Sequence, residues 1–268
     1  MIDSISGTLI IVIPTMDGLV VASDSRTTFR EKFYDCREKL HVASTRTPIV
    51  FAITGSGEFP WSIPHGADPE PYLRNGPFAF RGRDSVSGYF DRDPHFVVSS
   101  TSIELIGKDL AMGFSDFLAR YPNKATEFLG KNACRLVACQ VDPASGDMVV
   151  ASIAIAIDPC GNAAPTAPWF AQYTPADATA CLFFGEVNYV VEHIQNGAGR
   201  RFLPQRAESI WSDMDIVQRL RAHEAARLAR SIVAAVEKNS ETIPIPGGIG
   251  IGGAVSSLLV TATSVMPI

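Results

Sequence analysis

Two runs of branched apolar residues near the start of the chain, TLIIVI from Thr8 and LVVAS from Leu19, flank the turn signal Pro14-Thr15-Met16-Asp17-Gly18. Short Ile- and Val-rich runs joined through a Gly-containing turn fold as a β-hairpin. A hairpin returns its far end beside its beginning. Gly7-Thr8, which opens the first strand, therefore meets Ser23-Asp24-Ser25-Arg26, which closes the second. The pattern predicts a hydroxyl at Thr8 close to a carboxylate at Asp24.

The following residues read as more of the same. A polar loop over residues 26–38 precedes Lys39-Leu40-His41-Val42-Ala43, an alternating run that suits a half-buried strand with Lys39 at its head. A turn at residues 45–48 leads to IVFAIT, a short buried strand ending in Gly55-Ser56-Gly57. Four strands within 55 residues, joined by short polar turns, read as an antiparallel sheet. Between Phe59 and His95 the prolines at 60, 64, 69, 71, 77 and 94 forbid a long helix, so residues 59–99 read as an insertion.

Helical periodicity begins at Ser100, where Ile103, Ile106, Leu110, Phe114 and Phe117 line one face up to Pro122. RLVACQVD and DMVVASIAIAI flank Pro143-Ala144-Ser145-Gly146 as a second hairpin. After a Pro- and Ala-rich connection over residues 158–178, ACLFFGEVNYVVEHI reads as a strand passing at Gly185 into a short helix. Ser212-Asp213 suit the cap of a long helix ending near Lys238, and AVSSLLVTATSV forms a closing strand after the glycines 247–253. This order predicts an α+β fold, a four-layer α-β-β-α sandwich of two antiparallel sheets.

Composition narrows the function classes. The net charge of −5 is spread along the chain, which argues against nucleic acid or an anionic membrane surface as a partner. Five cysteines, at 36, 134, 139, 160 and 181, form no CxxC pair, so neither a disulfide framework nor a thiolate zinc site is indicated. The start, MIDSISG, lacks a basic region and a long apolar core, so no secretory signal is read and a cytoplasmic location is expected. The histidines show no metal-ligand spacing, and GGIGIGG lacks the strand-before, helix-after setting of a nucleotide site; no metal and no cofactor are expected. The uncharged stretch 242–268 carries three prolines and many Gly, Ser and Thr residues, and reads as strand rather than membrane span.

Gly-Thr before an apolar strand, DGLVVASDSRT at residues 17–27, a lysine fifteen residues after Asp24 and an apolar strand ending in Thr54-Gly55 together resemble the proteasome β-subunits and their bacterial relatives, within the N-terminal-nucleophile hydrolases. The pattern is most similar to a bacterial homologue, closely over residues 7–57 and in element order from Ser100 to Val265. The resemblance implies a catalytic set of Thr8, Asp24 and Lys39. It also implies Gly55 as the oxyanion donor and Gly7 as the processing position that ends a propeptide of residues 1–7. Thr27, Arg37, His41 and Ile53 fall on the specificity pocket, and Arg26, Gly185, Ser240 and Glu241 surround the catalytic group. It departs from the family pattern where an auxiliary serine is replaced by Phe184-Gly185-Glu186.

Those residue types suit the chemistry. A threonine hydroxyl needs a nearby base, and its own α-amine, titrating near pH 8, supplies one once the chain is cut before it. A neighbouring Lys39 disfavours protonation of that amine, and Asp24 compensates the buried cation. Taken singly, each residue has a plain reading as strand, turn or solvated charge.

The expectation is a threonine endopeptidase of residues 8–268. The resemblance implies that it stacks with itself into homo-oligomeric rings and takes peptide or unfolded protein, with an ATP-dependent unfoldase as partner. The alternatives are a non-catalytic scaffold subunit and an amidohydrolase acting on a small amide.

Overall fold

The computed structural model describes residues 7–30, 32–43, 45–174, 181–185, 190, 220–242 and 251–268, the side chains of residues 239–242 excepted. The chain is α+β, with its strands paired antiparallel in several sheets.

β1 (Leu9–Thr15) and β2 (Gly18–Asp24) form the predicted hairpin, but its turn is shorter than the sequence suggests. Pro14 and Thr15 stay in the ladder opposite Leu19 and Gly18. Pro14 is tolerated there because the partner on β1's other side, β13 (Leu182–Gly185), has already ended at Val12↔Leu182, so less of the ladder needs its missing N–H.

The residues expected to be a polar loop after Asp24 instead form a second, small hairpin, β3 (Arg26–Phe29) with β4 (Lys32–Asp35). β5 (Leu40–Val42) and β6 (Ile49–Gly55) follow as read. They do not join β1 and β2 in one sheet. The first sheet has the order β13-β1-β2-β14 (Val255–Val260)-β15 (Val265–Pro267), and the second runs β11 (Ala163–Pro165)-β10 (Met148–Ile157)-β9 (Lys131–Val141)-β6-β5.

The Pro-rich stretch is structured. β7 (Glu58–Pro60) pairs with β8 (Phe78–Arg81), with α1 (Glu70–Asn75) between them. α2 (Gly82–Arg92) then uses the proline-free window between Pro77 and Pro94. α3 (Ser100–Arg120) is the helix read from periodicity, started by a capping box in which Ser99 and Ser102 bond each other's backbone N–H. α4 (Pro122–Phe128) restarts at Pro122, where proline's fixed φ and missing N–H suit a first turn.

β9 (Lys131–Val141) and β10 (Met148–Ile157) form the second predicted hairpin. The connection beyond it carries β11 (Ala163–Pro165) and β12 (Trp169–Tyr173), both on β10's free edge. The helix expected after Gly185 and the cap expected at Ser212-Asp213 lie outside the described residues. α5 (Ala222–Thr242) outlasts the expected end near Lys238. The closing strand is a hairpin, β14 (Val255–Val260) with β15 (Val265–Pro267).

Strand alternation explains why the runs are apolar on both faces. Along β1, Leu9, Ile11 and Ile13 join an apolar cluster with α5, whereas Ile10 and Val12 face a cluster shared with the second sheet. Along β9, Val137 and Cys139 meet that same shared cluster, while Leu136 and Ala138 turn to α3. Under α2 and α3 lies a set of phenylalanines at 59, 80, 114 and 117, with Phe59 and Phe117 ring centroids 4.4 Å apart. Among the described residues no helix is long and apolar enough to cross a membrane.

Candidate active site

Thr8 immediately precedes β1 and is 5% exposed. Asp24 ends β2, and hairpin closure brings its Oδ1 to 2.8 Å from the Leu9 N–H, which it accepts. Proximity of Thr8 to Asp24, expected from the hairpin alone, thus appears as a hydrogen bond one residue beyond the threonine.

Lys39, just before β5, donates from Nζ to Asp24 Oδ1 at 2.9 Å, to the Gly7 carbonyl at 2.7 Å and to the Arg26 carbonyl. Three acceptors meet the three donors of an ammonium, so the buried cation is fully satisfied. Asp24 Oδ2 accepts the Gly252 N–H at 3.3 Å. Burial lowers the pKa of Lys39, with Asp24 opposing. Burial likewise raises that of Asp24 against the pull of Lys39 and the Leu9 N–H. A buried pair of this kind costs desolvation and survives only when its remaining hydrogen bonds are met, as they are here.

The Gly7 carbonyl receives a second donor. Thr8 Oγ1 lies 2.7 Å from it, so the hydroxyl and the ammonium converge on the carbonyl of the Gly7-Thr8 bond. Gly185 stands across from this point, paired with Leu9. Its φ is +92°, and a Cβ there would come within 2.0 Å of the Thr8 carbonyl oxygen, so glycine is required.

Gly55 ends β6 with φ of +78°. An added Cβ would meet the Ala133 carbonyl oxygen at 2.8 Å, so crowding against β9 already requires glycine, apart from any approach of substrate. Thr8, Lys39 and Gly55 line a cleft of about 410 Å³, open mouth included. All the expected wall residues, Thr27, Arg37, His41 and Ile53, face that cleft.

Arg37 donates to the Leu73 carbonyl at 2.9 Å and is ion-paired with Glu58. Burial first, then the neighbouring Arg81, lowers its pKa to about 10. Burial, Arg37 and Arg81 push His41 down to about 4, which leaves its imidazole neutral near pH 7.

Arg26 binds Asp35 through Nε at 2.8 Å and Nη2 at 3.0 Å, reaches the Ile251 carbonyl at 3.3 Å and pairs with Glu237 of α5. Its side chain therefore ties β4 and α5 to residues 251–252 while its carbonyl holds Lys39. Ser240 and Glu241, expected beyond the last helix, fall inside α5, and their side chains lie outside the described residues.

Three contributors escaped the sequence reading. The Gly252 N–H comes from a stretch read as a plain turn, yet a Cβ there would meet Arg26 Nη1 at 2.5 Å. Glu58 and Arg83 reach the cleft from β7 and the first turn of α2. A proline-rich segment gave no periodic signal to place them.

No family model matches this chain, and no curated protein matches it. Similar solved structures carry the name Anbu. The protein from Yersinia bercovieri, described as an ancestral beta-subunit, gives a TM-score of 0.49 at 16% identity, over 97% of this chain and 87% of that one. The Anbu complex from Pseudomonas aeruginosa, described as a helical assembly, gives 0.48 at 16%, over 97% and 86%. A Gly-1 mutant from Hyphomicrobium sp. strain MC1 gives 0.47 at 13%, over 97% and 85%. These findings correct the expected membership of the proteasome β-subunit family. No family model supports it, and the similar structures bear a different name.

Proposed function

We propose that this chain is a threonine-type endopeptidase of the N-terminal-nucleophile kind, with its sheets and helices layered as a four-layer α-β-β-α sandwich. One observation carries the reading: Lys39 Nζ, held by Asp24, and Thr8 Oγ1 both lie 2.7 Å from the Gly7 carbonyl oxygen. In an intact chain this arrangement polarises the carbonyl that must be attacked for the nucleophile to be freed.

Attack by Thr8 Oγ1 on the Gly7 carbonyl carbon breaks the Gly7-Thr8 amide, leaves an ester on Oγ1 and passes the hydroxyl proton to the departing nitrogen. Water then hydrolyses the ester and releases residues 1–7 as a propeptide. The new α-amine serves as base for Thr8 in each later turnover, and Lys39 holds that amine neutral by charge repulsion. The Gly55 N–H is assigned to the oxyanion, a role whose loss typically costs about 3 kcal/mol of transition-state stabilisation. Thr27, Arg37, His41 and Ile53 are assigned to the substrate pocket, and Arg26 and Gly185 to the support of Lys39 and Thr8. Peptide or unfolded protein is the substrate.

Self-assembly belongs to the same reading, since a broad peptidase must be kept from folded protein. Leu105 and Met112, one heptad apart on α3, are 45% and 63% exposed, which suits a surface that packs against further copies. Light scattering of the purified chain tests this.

Intact mass decides the central claim. A species beginning at Thr8, lost together with labelling by a threonine-directed electrophile in Thr8→Ala, is expected. Exclusive recovery of the full chain, unlabelled, would instead identify a scaffold subunit. Turnover of small amides without peptide cleavage would identify an amidohydrolase.

A further inference from the structure

The cleft beside Thr8 has a charged wall supplied by the Pro-rich segment. Glu58 is one largely buried carboxylate facing two guanidinium groups, paired with Arg37 and 3.5 Å from Arg81 Nε. Arg81 Nε is buried without a hydrogen-bond acceptor. Arg83, in the first turn of α2, is a third cation on this wall, and its nearest carboxylate is the exposed Asp84 at 3.9 Å.

Arg37 and Arg83 also line an adjoining polar hollow of about 630 Å³, where Arg74 and Asn75 join them. Arg74 is already bonded to Glu70 at 2.8 Å. Glu38 is the acidic residue common to both cavities, and it is exposed at their rim. Burial first, and then the neighbouring guanidinium groups, lower the pKa values of Arg37 and His41, which accords with the charges that the geometry places at this wall.

Resting on the threonine-peptidase reading, we propose that the cleft selects an acyl donor with a carboxylate side chain at the residue preceding the scissile bond, and that Arg83 reads that carboxylate with Arg37 behind it. Arg83 is the cation with the weakest protein partner, so it keeps donors for a bidentate contact with substrate. A neutral isostere leaves those donors unmatched, which is how a polar pocket discriminates. A cationic residue in the same place meets repulsion from Arg37, Arg81 and Arg83 together.

The test uses the full chain and fluorogenic peptides that differ only in carrying Glu, Gln, Leu or Lys before the scissile bond. The expected kcat/KM for Glu exceeds that for Gln by about tenfold or more at low salt, Lys is poorest, and the preference shrinks as ionic strength rises. Arg83→Gln is expected to bring the Glu-to-Gln ratio close to one while Thr8 is still labelled by an uncharged electrophile. Arg83→Lys restores part of the ratio.

Labelling of Thr8 with Gln, Leu or Lys cleaved as well as Glu would overturn the carboxylate assignment and leave the peptidase reading standing. Neither labelling nor cleavage of any peptide would overturn both. Should Arg83→Gln not fold, the ratio in the natural chain and its loss at about 0.5 M salt decide the matter.

Discussion

Two buried regions of this molecule are opposites. Between β7, β8 and α3, the rings of Phe59, Phe80, Phe114 and Phe117 pack edge and face. Some distance along the same chain, Asp24 and Lys39 are 1% and 6% exposed yet form an ion pair, held by backbone N–H groups and carbonyls. The aromatic region is stabilised by removing apolar surface from water, at roughly 25 cal/mol per Å². The ionic region spends stability, because desolvating two ions costs about as much as their attraction returns. The first region is therefore explained by folding, and the second is not. Burial of the Asp24–Lys39 pair calls for another reason, and Thr8 beside it supplies one.

The largest loss is expected on the aromatic side. Phe59→Ala is expected to lower the free energy of unfolding by about 3 to 5 kcal/mol, since Phe59 touches the rings of Phe80, Phe114, Phe117 and Phe128 and the void cannot close around it. Chemical denaturation measures this, and Thr8 labelling per folded molecule should be unchanged.

Lys39→Met comes next, at about 3 kcal/mol near pH 8, because it leaves the Asp24 carboxylate buried and unpaired. The loss is capped because Asp24 can take up a proton, and burial already raises its pKa. A carboxyl whose folded pKa lies above its unfolded value favours folding most at low pH and loses that advantage as pH rises. The deficit of Lys39→Met should therefore be smaller at pH 5 than at pH 8. Replacing both partners, Asp24→Leu with Lys39→Met, should restore most of the stability and none of the labelling. A double variant as unstable as the single one would mean that the pair is a structural asset after all.

The same contrast governs what the sequence revealed. Periodic apolar runs made both hairpins and α3 legible, since burial on a strand or helix face leaves a pattern in the residues themselves. The bond of Asp24 to the Leu9 N–H, next to Thr8, followed from hairpin closure alone, and the placing of Lys39 beside Asp24 followed from spacing and the family resemblance. Illegible were contacts made by backbone or by irregular segments. The Gly252 N–H on Asp24 and the arrival of Glu58 and Arg83 at the cleft depend on how loops cross, which no local pattern records. The hairpin β3–β4 was hidden because its strands are short and partly polar, KFYD being mostly exposed. The prolines of residues 59–99 forbid a long helix but leave no pattern for the short elements that they bound.

A smaller effect sharpens the ionic side. His41 has a folded pKa of about 4 against an ordinary 6.5, so the folded state resists a proton that the unfolded chain accepts. Its contribution to stability is complete above about pH 6.5 and is lost as pH falls toward 4, by roughly 3 kcal/mol at most. His41→Gln should flatten that limb of a plot of Tm against pH, relative to the parent chain measured over the same range. An unchanged slope would mean that neither burial nor the neighbouring arginines hold His41 below its ordinary pKa.

The smallest expected effect lies at the exposed ion pair of α1. Arg74 and Glu70 are bonded at 2.8 Å, one helical turn apart, with side chains 56% and 47% exposed. Water and salt screen such a pair, and ordering two long side chains offsets much of its attraction, so Glu70→Ala should leave the midpoint of chemical denaturation nearly unchanged. That distance is slightly shorter than the 2.9 Å between Lys39 and Asp24. Two ion pairs of nearly equal length would then differ severalfold in the cost of removing one partner, and the difference would be set by burial rather than by distance. A large loss in Glu70→Ala would show instead that Arg74, released from Glu70, disturbs the basic hollow it shares with Arg37 and Arg83.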